Sequence, residues 1–213
     1  MYKRQDYITV NTDARALNSS KADTKVQIGV KLTNGKGAGA KPEIGASSAE
    51  ENRDEIKAAL SGSDMVFIAA GMGGGTGTGA APIVAEIAQE LGILTVAVVT
   101  KPFEFEQKAK MRQAEAGIAE LKKHVDSLIV IPNERLLQSA DKELTMKQSF
   151  ALADDILKVG VKSIAELITV EGDINLDFAD VKTTMKDAGY AHMAIGHGSG
   201  KDNAAEAAKQ VIS

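Results

Sequence analysis

The segment Gly71-Met-Gly-Gly-Gly-Thr-Gly-Thr-Gly-Ala-Ala81 constrains this chain more than any other stretch of it. It follows an apolar run, Met65-Val-Phe-Ile-Ala-Ala70, which predicts a buried parallel strand. It precedes Ala80–Leu91, where apolar residues recur at helical spacing and Pro82 falls in the first turn, a place where its missing N–H costs little. Strand, glycine loop and helix start together make an anion site. Backbone N–H groups converge there, the helix dipole favours negative charge, and residues without Cβ atoms let a phosphate approach the main chain. Thr76 and Thr78 add hydroxyl donors. A phosphate-bearing ligand is implied.

The wording of the loop narrows the ligand. A Walker A loop requires Gly, four residues and then Gly-Lys-Ser/Thr, and no glycine cluster in the chain supplies that pattern. Gly75-x-Gly77-x-x-Ala80 does match the loose dinucleotide fingerprint. That fingerprint also wants an acidic residue at the end of the next strand to hold a ribose hydroxyl. Here the next strand, Ile93-Leu-Thr-Val-Ala-Val-Val-Thr100, runs into Lys101-Pro102, which leaves a nicotinamide or flavin reading weak. A plain turn is the bland alternative. Five glycines and two threonines within residues 73–79 would carry a heavy entropic cost for a turn alone.

Apolar runs alternate with helical patterns along the chain. Strands are predicted over Tyr7–Val10, Lys25–Gly29, Met65–Ala70, Ile93–Val99 and Ser127–Ile131. Helices are predicted over Ala49–Leu60, Ala80–Leu91, Glu106–His124 and Thr145–Leu167. Such alternation specifies an α/β fold of three layers, a parallel sheet with helices on both faces. Phe178–Ala188 predicts a further helix, Ala191–Gly196 a strand and Asn203–Ile212 a last helix, a tail too short to bury its own core.

With a formal net charge of −4 over 213 residues, the chain has no broad basic footprint for nucleic acid. The absence of cysteine excludes disulfides and thiolate metal sites and fits a reducing compartment. No apolar stretch reaches the ~18 residues that span a bilayer, and no secretory signal opens the chain, so a cytoplasmic protein is expected. His124, His192 and His197 lack metal-ligand spacing, and Gly196-His-Gly-Ser-Gly200 reads as a turn.

Gly73-Gly-Gly-Thr-Gly-Thr-Gly79 resembles the signature loop of the tubulin superfamily of GTPases, in the form of its bacterial cell-division branch. Asn11-Thr-Asp-Ala-Arg-Ala-Leu17, Gly35-Lys-Gly-Ala-Gly-Ala-Lys-Pro42, Thr100-Lys-Pro-Phe-Glu-Phe-Glu106, Ile131-Pro-Asn-Glu134 and Asn175-Leu-Asp-Phe-Ala-Asp-Val181 have counterparts there, in the family's order. The resemblance implies a Rossmann-like domain that binds GTP or GDP. It divides the chain into a GTP-binding domain over 1–144, a connecting helix over 145–170 and the start of a C-terminal, GTPase-activating domain over 171–213.

For the phosphates, Gly75, Thr76 and Gly77 are the first candidates, flanked by Gly73, Gly74 and Thr78. The small residues of a second loop, Ala38 and Gly39 among them, could aim amides at a terminal phosphate; alone they read equally well as a turn. By resemblance this loop senses the γ-phosphate. Glu106 and Lys110 lie four apart on one helix face, which by itself suggests a surface ion pair. In the family the first position meets the ribose and the second is an Arg near the nucleotide. Lysine replaces a planar fork with a point charge, and Gln107 stands where the family often has Gly. Asn133 follows a strand end beside Pro132, a position that faces ligand in open α/β sheets.

Phe150 and Asp154 are one helical turn apart. A ring can stack on a purine, and a carboxylate can accept from guanine N1–H and N2–H₂, a donor pair adenine lacks. Without the family they read as a core Phe beside a solvated Asp. Asp177 and Asp180, with Asn175, straddle a helix start, which alone reads as capping by Asp177. The resemblance implies instead that this loop enters the site of the next subunit in a head-to-tail filament, where the acids polarise the attacking water. Mg²⁺ would be held mostly through phosphate oxygens and water.

The family opens with a strand, a glycine-rich phosphate loop and a helix that precede the Asn11 segment, and these are not in the sequence. The expected consequence is a gap between the strands at Tyr7–Val10 and Met65–Ala70, which face unpaired backbone rows or pair with each other. Poor solution stability, with melting below ~60 °C, follows. The expected function is a GTP-hydrolysing, self-assembling subunit of the division ring at midcell, with division-ring proteins as partners. A catalytically incompetent assembly or capping module is the alternative, and a dinucleotide oxidoreductase is a distant third.

Overall fold

The computed structural model describes residues 5–138, 144–169, 177–191, 198–200 and 202–212. The chain runs β1 (Ile8–Asn11), α1 (Ala14–Ser19), β2 (Thr24–Gln27), α2 (Val30–Thr33), α3 (Pro42–Glu51), α4 (Arg53–Leu60), β3 (Met65–Gly71), α5 (Thr76–Glu90) and β4 (Leu94–Lys101). A 3₁₀ turn (Glu104–Glu106) then leads to α6 (Lys108–Leu121), β5 (Ser127–Pro132), α7 (Asn133–Gln138), α8 (Met146–Thr169), α9 (Phe178–Met185), β6 (Gly189–Tyr190) and α10 (Asn203–Ile212). Every strand pairing is parallel.

Strand β4 shows why the fold has three layers. Leu94 to Thr100 are all buried, as a central parallel strand requires. Its alternating side chains serve different faces. Ala97 and Val99 join Ile68, Ala85, Ile118 and Leu121 beneath α5 and α6, whereas Val98 packs with Ile129 and Ile164 of α8. A third cluster unites Val26 and Ile28 with Ile56 and Leu60 of α4 and Ala80 and Ile87 of α5.

The strands form two hydrogen-bonded sheets, β1–β2 and β3–β4–β5–β6. Ile8 and Val10 of β1 pack on the same cluster as Val66 of β3, yet β1 and β3 do not pair. Of the two arrangements expected for these strands the first is seen, each presenting an edge with no partner strand among the described residues.

Several elements differ from the sequence pattern. The predicted helix Ala49–Leu60 is two helices, α3 and α4, broken at Asn52, whose backbone leaves the helical region at φ −115°. The Asn52 side chain accepts from the Gly29 N–H at 2.9 Å, a long-range bond no local pattern records. Instead of starting at Ala80, α5 begins at Thr76, inside the glycine loop. Glycine is a poor helix former, so packing decides here. A Cβ on Gly79 would lie 1.9 Å from the Pro42 carbonyl oxygen, and one on Gly45 would lie 2.2 Å from the Gly75 oxygen. Helices α3 and α5 thus cross backbone to backbone, and Arg53 ties them further through Glu50 at 2.9 Å and Glu90 at 2.6 Å. The predicted helix Glu106–His124 starts at Lys108, because Gln107 has φ +87° and closes the 3₁₀ turn before it. Helix α9 stops at Met185, ahead of Asp187 at φ +54°, and β6 precedes the strand predicted over Ala191–Gly196, most of which lies outside the described residues.

Candidate functional site

Register brings the functional segments to one edge. Gly71 lies beside Thr100 and Lys101 beside Pro132, so the glycine loop, the turn after β4 and the start of α7 all leave from the C-terminal ends of neighbouring strands. Ligands of open parallel sheets bind at that edge.

The glycine loop is shaped from within. The Gly73 N–H donates to Thr78 Oγ1 at 2.8 Å, and Thr78 is only 3 % exposed. Thr78, expected as a hydroxyl donor to phosphate, accepts this bond and so holds the loop against its own helix, and the Gly73 amide is occupied in the same contact. Thr76 Oγ1 lies 2.6 Å from Oγ1 of Thr12, a fully buried residue just past β1. The first backbone bond of α5 runs from Gly79 N–H to the Gly75 oxygen at 3.1 Å. The amides of Gly74, Gly75, Thr76 and Gly77 consequently have no acceptor among the described residues. Free first-turn amides at the positive end of a helix dipole form an anion cradle.

The second loop abuts the first. A Cβ on Gly75 would lie 2.8 Å from the Ala38 Cβ and 2.8 Å from the Lys41 nitrogen. Gly37, Gly39 and Ala40 have φ of +86°, +59° and +58°, so even an alanine is held in the left-handed region. Beside both Gly39 and Gly74 an added Cβ would meet nothing within 4 Å, which leaves open space next to each loop. Asp13 supports this corner. Its Oδ1 accepts from the N–H groups of Ala16 and Arg15 at 3.0 and 2.8 Å, and the Ala16 bond foremost holds its carboxyl below the ordinary aspartate value.

On the other side of the loop, Glu106 is 15 % exposed. Its Oε1 accepts from the Phe103 N–H at 3.0 Å, and its Oε2 lies 3.2 Å from Lys110 Nζ, the ion pair its spacing suggested. Phe150 of α8 meets the rings of Phe103 and Phe105 edge-on, and Asp154 is exposed one turn further along. Asn133 opens α7 and is 5 % exposed, yet its Oδ1 has no hydrogen-bond partner. A buried carbonyl oxygen left unpaired is a costly arrangement, and a ligand donor would relieve it.

The acids predicted for hydrolysis sit at the start of α9. Asp177 is the N-cap residue of α9, but its side chain makes no capping bond, contrary to the capping reading, and both Asp177 and Asp180 are exposed. Ser127 Oγ donates to the Met185 carbonyl at 2.7 Å, and Gly189 pairs with Ser127. Helix α9 is therefore anchored at the N-terminal end of β5, the edge opposite the glycine loop. Its eight residues rise about 12 Å between that anchor and Asp177. Asn175 lies outside the described residues.

Residues 2–141 match the sequence profile of the GTPase domain of the Tubulin/FtsZ family. The chain belongs to that family. Among solved structures it is similar to the FtsZ dimer of M. jannaschii, at 49 % identity and a TM-score of 0.93, with 97 % of this chain and 60 % of that one covered. It is likewise similar to the W319Y mutant of M. jannaschii FtsZ, at 50 % identity and a TM-score of 0.92, with 96 % and 61 % covered. GDP-bound monomeric CetZ1 from Haloferax volcanii shares the fold at 25 % identity and a TM-score of 0.70, over 86 % of this chain and 55 % of that one. The chain spans about 60 % of the length of the FtsZ structures it matches.

The fold gives contacts to residues that the motifs carry only as letters in a string. Thr12, inside Asn11-Thr-Asp13, anchors Thr76, and Phe103 and Phe105, inside the Thr100–Glu106 motif, pack on Phe150. Both motifs were legible as strings. Neither announces its contacts, which join residues far apart in sequence. Glu134 is another such case, its Oε2 accepting from the Glu104 N–H at 3.0 Å.

Proposed function

We propose that this chain carries the nucleotide-binding part of a GTP-hydrolysing, self-assembling subunit of the bacterial division ring, whose active site is completed by the next subunit. The observation that carries the reading is the row of amides from Gly74 to Gly77 left without an acceptor among the described residues. Two exposed aspartates at the start of α9 leave their own helix uncapped and are open to another molecule. A head-to-tail contact would bring such acids to the amides of the next copy, and repetition of that contact gives an open filament.

In this mechanism the amides of Gly74, Gly75, Thr76 and Gly77 hold the phosphates, with Ala38 and Gly39 facing the terminal one. Glu106 accepts from the ribose and Lys110 adds positive charge. Phe150 stacks on the base, Asp154 accepts from guanine N1–H and N2–H₂, and Asn133 Oδ1 takes a further donor. Asp177 and Asp180 of the neighbouring subunit, aided by Asn175, orient and polarise the attacking water. Phosphoryl transfer depends mainly on positioning and charge stabilisation, so a divided site is chemically sufficient. Mg²⁺ would be held mostly through phosphate oxygens and water. The proposal includes the domain division at 144/145 and 170/171, division-ring partners, and a cytoplasmic, midcell location. Among the described residues no helix is long and apolar enough to cross a membrane.

The decisive measurement is phosphate release against protein concentration. Turnover per subunit rises with concentration, and Asp177→Ala abolishes it while leaving GTP bound. A variant that hydrolyses at the parental rate refutes the shared site. The unpaired facing edges of β1 and β3 favour a second reading, in which this chain only caps filaments. Absence of micromolar GTP binding, together with slowed assembly of an intact homologue, selects it.

A further inference from the structure

The three phenylalanines at the site form a unit with a division of labour. Phe103 is 1 % exposed, whereas Phe105 and Phe150 are 45 % and 40 % exposed. The rings of Phe103 and Phe105 stack, with centroids 4.9 Å apart and 9° between planes. Phe150 stands nearly perpendicular to both, at 5.4 Å and 88° from Phe103 and at 6.0 Å and 89° from Phe105. These are the favoured stacked and edge-to-face arrangements of aromatic quadrupoles. The same residue has a second attachment, because the Phe103 N–H donates to Glu106 Oε1 at 3.0 Å and its carbonyl accepts from the Glu106 N–H at 3.0 Å.

We propose that Phe103 is a positioning residue for the nucleoside: its ring fixes the orientation of Phe150, and its main chain fixes the Glu106 carboxylate. It links the base contact on α8 to the ribose contact on the turn before α6 and touches neither base nor sugar. The inference rests on the nucleotide reading above. It adds that the base contact and the ribose contact share one buried residue, the first through its ring and the second through its main chain, rather than being held independently.

Calorimetric titration of the chain with GTP, GDP and inorganic triphosphate tests this. The parent binds GTP more tightly than the base-free triphosphate; equal affinity, or no GTP binding, overturns the nucleotide reading and this inference with it. Phe103→Leu weakens GTP and GDP roughly three- to tenfold, the range expected when an aromatic pair is lost, and leaves triphosphate affinity unchanged. Phe103→Met, which keeps volume without a ring, gives the same split and guards against poor folding of the leucine variant. Phe150→Leu weakens GTP similarly, and combining it with Phe103→Leu adds little, since a ring that acts through Phe150 has nothing left to position. If both Phe103 variants weaken GTP and triphosphate equally, or keep the parental preference for GTP, the positioning role is refuted while the nucleotide reading stands. Additive losses in the double variant refute it as well.

Discussion

Two single-methyl substitutions in the glycine loop separate packing from ligand binding. At Gly79 an added Cβ would lie 1.9 Å from the Pro42 carbonyl oxygen, 2.6 Å from the Ala46 nitrogen and 2.9 Å from the Pro42 carbon, all backbone atoms that cannot swing aside. To restore an ordinary C···O separation of roughly 3.3 Å, α3 and α5 must part by about 1.4 Å. That shift loosens Ala49, Ala80 and Ile87, each at most 5 % exposed. Overpacking of this kind costs typically about 1–3 kcal/mol, occasionally more. The helix propensity of alanine returns about 1 kcal/mol. With three backbone contacts violated, the upper part of the range applies, and Gly79→Ala loses about 2 kcal/mol net. For a chain of this size that lowers Tm by about 4–8 °C. Gly74→Ala is the control, since nothing lies within 4 Å of its added Cβ. Its Tm stays within about 1 °C of the parent, while GTP affinity falls because the methyl enters the space proposed for phosphate. Calorimetric melting with and without nucleotide reads both. A Gly79→Ala protein as stable as the parent would show that the helices are not held at backbone contact. A Gly74→Ala protein that binds GTP normally would remove phosphate from that space.

Other perturbations follow from the same geometry. Asn133→Leu removes an unpaired buried oxygen, so the nucleotide-free protein melts about 2–4 °C higher while the stabilisation by GTP is lost; a lower melting point without ligand contradicts this. Asp154→Asn presents one donor and one acceptor in place of two acceptors, so GTP weakens by about tenfold or more and xanthosine triphosphate becomes the better ligand in competition titrations. Asp13 has its folded pKa below 3.8, so its charged form is favoured by folding. Its contribution is present above that value and is lost as pH falls through the folded pKa. Asp13→Ala therefore melts below the parent at neutral pH, and the gap narrows as pH falls through the folded pKa. A gap independent of pH assigns the loss to something other than the carboxylate.

The residues themselves determined a great deal. An apolar run, a glycine cluster and a helical repeat with Pro82 sufficed to place a glycine loop and a helix start at the end of a parallel strand, because those features act within a few residues of one another. The alternation of strands and helices fixed the layered α/β class for the same reason. Other features needed the folded chain. That Gly79 and Gly45 serve helix crossing, that Thr78 closes the loop on Gly73, and that the amides of Gly74 to Gly77 lack an acceptor among the described residues all depend on the folded chain. The break at Asn52 depends on a bond to Gly29, and the unpaired oxygen of Asn133 depends on everything packed around it. Glycine, threonine and asparagine are ambiguous in a string. One glycine borders open space and another admits a neighbouring helix, and only three-dimensional packing distinguishes them.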